Sequence, residues 1–173
     1  MTSASTQEHR SKADEHPPAR VAVLTISDTR TPDTDKSGAL IMEKLRAAGH
    51  TVADYAILKD DPDEIRRRVL SLCESGSVDV ILTNGGTGIA PRDGTFEAIS
   101  GLLEKELPGF GELFRMLSWN EVGAASMLSR AVAGLRGRTL IFAMPGSSNA
   151  VTVAMDRLIV PELAHLVWEM NRK

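Results

Sequence analysis

The chain has 173 residues, with 20 Lys+Arg against 23 Asp+Glu and a formal net charge of −3. At roughly 100–200 residues per domain it reads as one domain, able to bury about 70% of its unfolded surface without staples. Its single cysteine, Cys73, excludes a disulfide framework and a Cys-rich zinc site and fits a reducing, cytoplasmic setting, while mild acidity and scattered aromatics exclude a broad nucleic-acid face. The longest apolar runs, Val21-Ala22-Val23-Leu24 and Leu140-Ile141-Phe142-Ala143-Met144, are strand-sized, far short of the roughly 18 residues of a membrane span.

Met1 to about Arg20 is polar, carries Pro17-Pro18 and has no apolar signal core, so it reads as a disordered leader, with the folded domain over 21–173. Val21 to Ile26 is the first predicted strand. Polar, turn-prone residues follow from Ser27 to Ser37, then a helix with Ile41, Leu45 and Ala48 on one face and Gly49 as its cap. Thr51 to Leu58 is the second strand. Asp61-Pro62-Asp63-Glu64 is a helix start, with an N-cap, proline at N1 and acids at the positive dipole end. Ile65, Val69, Leu72 and Cys73 form that helix's buried face, and Gly76 closes it. Val78 to Thr83 is a third strand, apolar as in a sheet covered on both sides.

A glycine-rich loop, Asn84 to Gly94, leads into a helix bearing Phe96, Ile99, Leu102 and Leu103. The stretch from Pro108 to Arg130 reads as short helices joined by tight turns at Gly109, Gly111 and Gly123. Arg130 to Leu135 and Thr139 to Met144 are two strands around Arg136-Gly137-Arg138. The last segment is helical, with a break near Val160 imposed by Pro161. The β-α alternation predicts a three-layer α/β/α fold with a mostly parallel central sheet.

In such a sheet ligands sit outside the carboxyl ends of the strands, near a switch in strand order. Four polar segments fall there: Ser27-Asp28, Lys59-Asp60-Asp61, Thr83 to Asp93, and Pro145 to Asn149. In the loop, Gly85, Gly86 and Gly88 allow close backbone approach, Thr87 adds a hydroxyl, Arg92 a cation, and a helix N-terminus follows. These are the parts of a phosphate cradle. No Gly-Lys-Ser/Thr follows, and Pro91 stands where a dinucleotide fingerprint needs glycine, so neither a Walker A loop nor ordinary NAD binding fits.

Asp28, Asp60, Asp61 and Asp93 share that edge, although each alone also reads as a turn or cap residue, Asp61 most plainly. Acids beside an anion cradle make electrostatic sense with a cation between them, which points to Mg²⁺ and a phosphate-bearing substrate. Pro145-Gly146-Ser147 and Ser27 supply further small donors. No nucleophile–base pair suggests a covalent intermediate; the residues suit positioning and charge neutralisation in phosphoryl or nucleotidyl transfer.

Thr25-Ile26-Ser27-Asp28, Lys59-Asp60-Asp61, Thr83-Asn84-Gly85-Gly86-Thr87-Gly88 with Pro91-Arg92-Asp93 and Thr95, Pro108-Gly109-Phe110-Gly111-Glu112, Ser129-Arg130 and Met144-Pro145-Gly146-Ser147 together resemble the MoaB/Mog family of molybdenum cofactor biosynthesis proteins. The resemblance covers about Val21 to Met170, and Phe114 to Ser118 is more like the MoaB branch. Asn84 stands where threonine is common, and Gly94 and Phe96 interrupt the usual acid-Val-Thr-Pro pattern.

The resemblance implies a Rossmann-like domain, trimeric or hexameric, that binds molybdopterin and, in the active branch, adenylylates it with ATP and Mg²⁺, releasing pyrophosphate. It carries the two functional acids onto Asp60 and Asp93, as catalytic residues and Mg²⁺ ligands. The ligand-binding segments carry onto Gly85 to Gly88 and Pro145 to Ser147. It also implies handover of product to other cofactor-biosynthesis proteins. The alternative is a non-catalytic pterin-binding or scaffold subunit. Phe110, Phe114, Met116, Leu117 and Trp119 read partly as core and partly as an interface.

Overall fold

The computed structural model describes residues 17–172. Strands β1 (Arg20–Ile26), β2 (Thr51–Leu58), β3 (Val80–Asn84), β4 (Lys105–Glu106), β5 (Val132–Arg136) and β6 (Thr139–Met144) form one sheet in the order β2-β1-β3-β6-β5-β4. β1 pairs in parallel with β2 and β3, and β3 with β6, whereas β5 runs antiparallel to β6 and β4 to β5. The mostly parallel expectation therefore holds, with an antiparallel hairpin closing one side.

Alternate residues of the central strands face opposite layers, as a two-residue pleat requires. Val21, Val23, Val80, Leu82, Leu140 and Phe142 pack against Ile41 and Leu45 of helix α1 (Lys36–Ala47) and against later helices. Ala22, Leu24, Ile81, Ile141 and Ala143 face Ile65, Val69 and Leu72 of α2 (Pro62–Ser75) and Ala98 and Ile99 of α3 (Thr95–Ser100). The result is the expected three-layer α/β/α arrangement.

Local chemistry sets the helix ends. Asp61 accepts from the amides of Asp63 and Glu64 at 2.8 and 3.1 Å, with Pro62 in the first turn, and Gly76 terminates α2 in the left-handed region. Cys73 is half-buried beside the second core rather than fully inside it.

Several elements differ from expectation. The part of the leader over 1–16 lies outside the described residues, but Ala19 is buried and Arg20 already opens β1. Arg20 is held there by its bidentate pair with Asp79, at 2.8 and 3.2 Å, which a hydrophobic count does not register. The region expected as short helices is one 15-residue helix, α4 (Pro108–Val122), followed by a 3₁₀ segment over Gly123–Leu128. Gly111 is not a turn residue: a Cβ there would stand 2.7 Å from the Ala131 carbonyl, so it lets α4 approach the sheet closely.

α3 is shorter than expected, leaving Leu102 and Leu103 beyond its end. The C-terminal segment runs as α5 (Ser148–Ala154), a π-helical turn over Met155–Ile159, and α6 (Val160–Asn171). Pro161 has no N–H for an α-type bond, and the expected break takes the form of that π turn, with the chain staying helical. No helix among the described residues is long and apolar enough to cross a membrane.

Candidate functional site

Four parallel strands end at one level. Ile26 pairs with Leu58, Thr25 with Asn84, and Asn84 with Met144. The turns after β1, β2, β3 and β6 therefore share one edge of the sheet. Strand order reverses between β1 and β3, which is the switch point where a crevice opens.

The backbones at that edge meet closely enough to demand glycine. Gly85 has φ +98°, and a Cβ on it would stand 2.3 Å from the Ile26 carbonyl oxygen; one on Gly146 would stand 3.0 Å from Gly85 Cα. Gly86, at φ +63°, has Thr95 Oγ1 and Asp60 Oδ2 at 2.2 and 2.6 Å from the same notional Cβ. Asp93 Oδ2 would lie 2.4 Å from a Cβ on Gly88. Both acids thus press against the glycine loop.

A cleft of about 160 Å³ opens here, lined by Ser27, Asp28, Asp60, Gly86, Arg92 and Asp93 among others. Asp28 Oδ1 accepts the Asp60 amide at 3.2 Å, and Asp60 Oδ1 accepts the Gly94 amide at 3.2 Å. Asp93 Oδ2 accepts the Ala90 amide at 3.0 Å. Burial pushes the Asp60 carboxyl above its ordinary value. The charges of Asp93 and Asp28 add to that push, while the Gly94 amide and Arg92 oppose it. The hydroxyl oxygen of Thr95 is buried beside these groups and has no partner among the described residues.

Other predicted residues take different places. Thr87 is buried rather than open to the cleft. The Ser147 hydroxyl caps α5 by accepting the Ala150 amide at 3.2 Å, and Ser27 Oγ accepts the amides of Thr29 and Arg30 at 3.3 and 3.2 Å. Ser27 shapes its turn as well as lining the cleft. Gly146 and Pro145 form the neighbouring turn, against Gly85.

The structure also recruits residues that patterning did not single out. Asp35, fully buried, is the N-cap of α1, accepting from the Gly38 amide at 3.0 Å, Tyr55 at 2.8 Å and Arg30 at 3.1 Å. Burial pushes the Asp35 carboxyl up, but hydrogen bonds from Thr25, Gly38, Tyr55 and Arg30 outweigh this and hold it below its ordinary value. Arg30 and Ser37 both donate to the Gly146 carbonyl, at 3.3 and 2.9 Å, tying the turn after β1 to the turn after β6. The cap pattern Asp35-Lys36-Ser37 was the available signal; its burial was not.

Among the described residues no three His, Cys, Asp or Glu side chains are arranged as a metal cage. The donor set suits a hard cation that brings its own ligands: Asp60 and Asp93 offer carboxylate oxygen in a crowded negative cleft, and Mg²⁺ usually binds one or two carboxylates plus phosphates and water.

Comparison with known proteins places the chain in a family. Residues 22–165 match the family model described as "Probable molybdopterin binding domain". Molybdenum cofactor biosynthesis protein B of Bacillus anthracis is 54% identical over 170 residues, covering 98% of this chain and 99% of that protein. The chain belongs to the MoaB/Mog family of molybdenum cofactor biosynthesis proteins.

Among solved structures, a molybdenum cofactor biosynthesis protein B superposes with TM-score 0.88 at 54% identity, covering 92% of this chain and 100% of that one. The tungsten cofactor synthesizing protein MoaB from Pyrococcus furiosus gives TM-score 0.80 at 39% identity, with 90% and 98% covered. Within this MoaB/Mog fold the acids and the glycine loop meet at the switch point, where an α/β ligand site is expected.

Proposed function

We propose that the chain acts in molybdenum cofactor biosynthesis as a molybdopterin adenylyltransferase, a nucleotidyltransferase using ATP and Mg²⁺. The observation that carries this reading is the convergence of Asp60 and Asp93, from separate turns, on the Gly85–Gly88 loop. A cleft of about 160 Å³ is below the roughly 300–1,000 Å³ of small-molecule pockets, so it suits a phosphate–metal assembly. The pterin and the adenosine then lie on the open rim.

In the proposed step an oxygen of the pterin's terminal phosphate bonds to the α-phosphorus of ATP. The bond from that phosphorus to the bridging oxygen breaks, and pyrophosphate leaves with the electron pair. Mg²⁺, held by Asp60, Asp93 and phosphate oxygens, would neutralise charge on those phosphates. Loop amides and Arg92 stabilise the charge that develops in line. No side chain needs to become a covalent carrier.

The test is incubation of the protein with molybdopterin, ATP and Mg²⁺, following adenylylated pterin and pyrophosphate together. Formation of both supports the reading; tight pterin binding with neither product leaves the non-catalytic subunit. One surface bears on assembly under either reading. Met116 and Trp119, each 59% exposed, lie with Leu113, Met127 and Leu128 on an apolar face of α4 and the following 3₁₀ segment. Such a face fits self-association, as a trimer or hexamer, or docking of another protein of the pathway. Phe110 and Phe114, by contrast, are buried in the core.

A further inference from the structure

Arg130 holds the glycine loop without itself lining the cleft. Its Nε donates to the Thr87 carbonyl at 3.0 Å, and its Nη2 donates to the carbonyls of Gly88 and Asp93, the latter at 3.3 Å. The guanidinium is anchored in turn by Glu97 and lies 5.1 Å over the Phe96 ring. Arg130 and Phe96 line a separate cavity of about 330 Å³ that shares no lining residue with the cleft. One side chain therefore holds three loop carbonyls.

Peptide planarity turns that observation into a statement about the amides. No peptide in the described chain is cis, and in a trans peptide the C=O and the following N–H point in opposite directions. The Asp93 carbonyl faces Arg130, and the N–H of the same peptide, on Gly94, donates to Asp60 Oδ1 at the cleft. The Thr87 and Gly88 carbonyls also face Arg130, so the amides of Gly88 and Ile89 are turned the other way. Those two amides donate to nothing among the described residues.

We infer that Arg130 is a positioning residue: it draws the carbonyls of the Thr87–Asp93 loop outward and so presents the Gly88 and Ile89 amides to an anionic oxygen of a phosphate. Carbonyl lone pairs facing an anion would repel it, so a cradle of this kind works only when its peptides are held in one orientation. Three fixed N–H groups in a planar fork suit that task, and an ammonium, a point donor, does not span three carbonyls. Phe96 provides the surface under the guanidinium. This inference rests on the proposed reading of the cleft as a nucleotide-phosphate seat.

The test compares wild type, Arg130→Ala and Arg130→Lys by hydrogen exchange of amides 86–94 and by titration with Mg-ATP. In Arg130→Ala, exchange over 86–94 accelerates while the sheet amides keep their protection, and Mg-ATP affinity falls at least about tenfold. Arg130→Lys keeps the charge but restores neither loop protection nor affinity. Where Arg130→Ala fails to fold, Glu97→Gln, which removes one anchor of the guanidinium, gives the same two changes at smaller size.

Loop exchange and affinity both at wild-type level would overturn the inference. So would an affinity rescued by Lys without recovery of the loop, since charge alone would then be acting. Wild type that binds no Mg-ATP would instead remove the nucleotide reading, and loop exchange would still judge the strap.

Discussion

Gly94 donates its amide to Asp60 Oδ1 at 3.2 Å, joining the turn after β2 to the end of the glycine loop across 34 residues of chain. The adjacent acid, Asp61, spends its carboxylate on the amides of Asp63 and Glu64 instead. Two neighbouring aspartates thus have separate duties: one faces the cleft and the other starts a helix.

Substitution separates them. Asp60→Asn and Asp93→Asn are expected to abolish pyrophosphate release in the assay above with the fold retained. Asp61→Ala loses an N-cap, costs about 1 kcal/mol and leaves turnover near wild type. Thermal melts alongside pyrophosphate detection check all three, and an active Asp93→Asn protein would sink the catalytic assignment.

The pH dependence of the Asp60 variant follows from its raised pKa. A carboxyl held above its unfolded value costs stability when ionised. That cost is absent below the unfolded value and fully present once pH passes the folded one. Asp60→Asn therefore raises Tm near neutral pH, and the gain disappears in acid below the ordinary carboxylate range. Melting curves across pH that show the opposite trend would contradict the crowded-charge account.

Asp35 behaves in the reverse sense. Its carboxyl lies below the ordinary value, so it adds stability above the unfolded pKa and loses it as pH falls through the folded one. Asp35→Ala leaves Arg30 without its acid; because Arg30 is 33% exposed, the expected loss is about 2–3 kcal/mol, less than for a sealed pair. Burial pushes Tyr55 up to about 12, and its bond to Asp35 helps, so it remains a donor at physiological pH. Tyr55→Phe is expected to cost about 1.5 kcal/mol, read by urea denaturation.

Two left-handed glycines give a matched pair. Gly76, at φ +61°, has nothing within 4 Å of a notional Cβ, whereas Gly86, at φ +63°, has Thr95 and Asp60 oxygens within 2.6 Å. Gly76→Ala is expected to cost only backbone strain, about 1 kcal/mol, with turnover unchanged. Gly86→Ala carries the same strain and displaces Asp60, so nucleotide binding is lost; equal activities would refute the close-approach argument.

Met116→Asp and Trp119→Asp test the apolar face of α4. Sedimentation is expected to find wild type associated and both variants monomeric, with the protomer fold retained because neither side chain belongs to its buried core. A monomeric wild type would remove self-association as the purpose of this surface.

Strand positions and the capped helix α2 were readable because period, cap residues and glycine stops agree there. The single helix α4 was not, because Gly109 and Gly111 read as turns when their role depends on a sheet not visible in sequence. Residue type at strand ends picked out the loop and the four acids Asp28, Asp60, Asp61 and Asp93 together; the resemblance singled out Asp60 and Asp93, and the geometry set Asp61 apart as a cap. Arg30 and Asp35 could not, since burial and partnership in space decide their importance, and the motif that included Thr95 gave no sign that its hydroxyl is buried without a partner. The Lys105–Glu106 strand, only two residues long and exposed, carries no apolar signal at all.

The matched ends of β1, β2, β3 and β6 make this edge of the sheet intolerant of length change. One residue inserted within any of these strands advances its turn by about 3.3 Å and exchanges its two faces, which is enough to pull an acid or an amide out of the cleft. Growth of the chain, by fused tags or added loops, is better borne at the opposite edge, around Gly49 and Gly76, where nothing crowds the backbone.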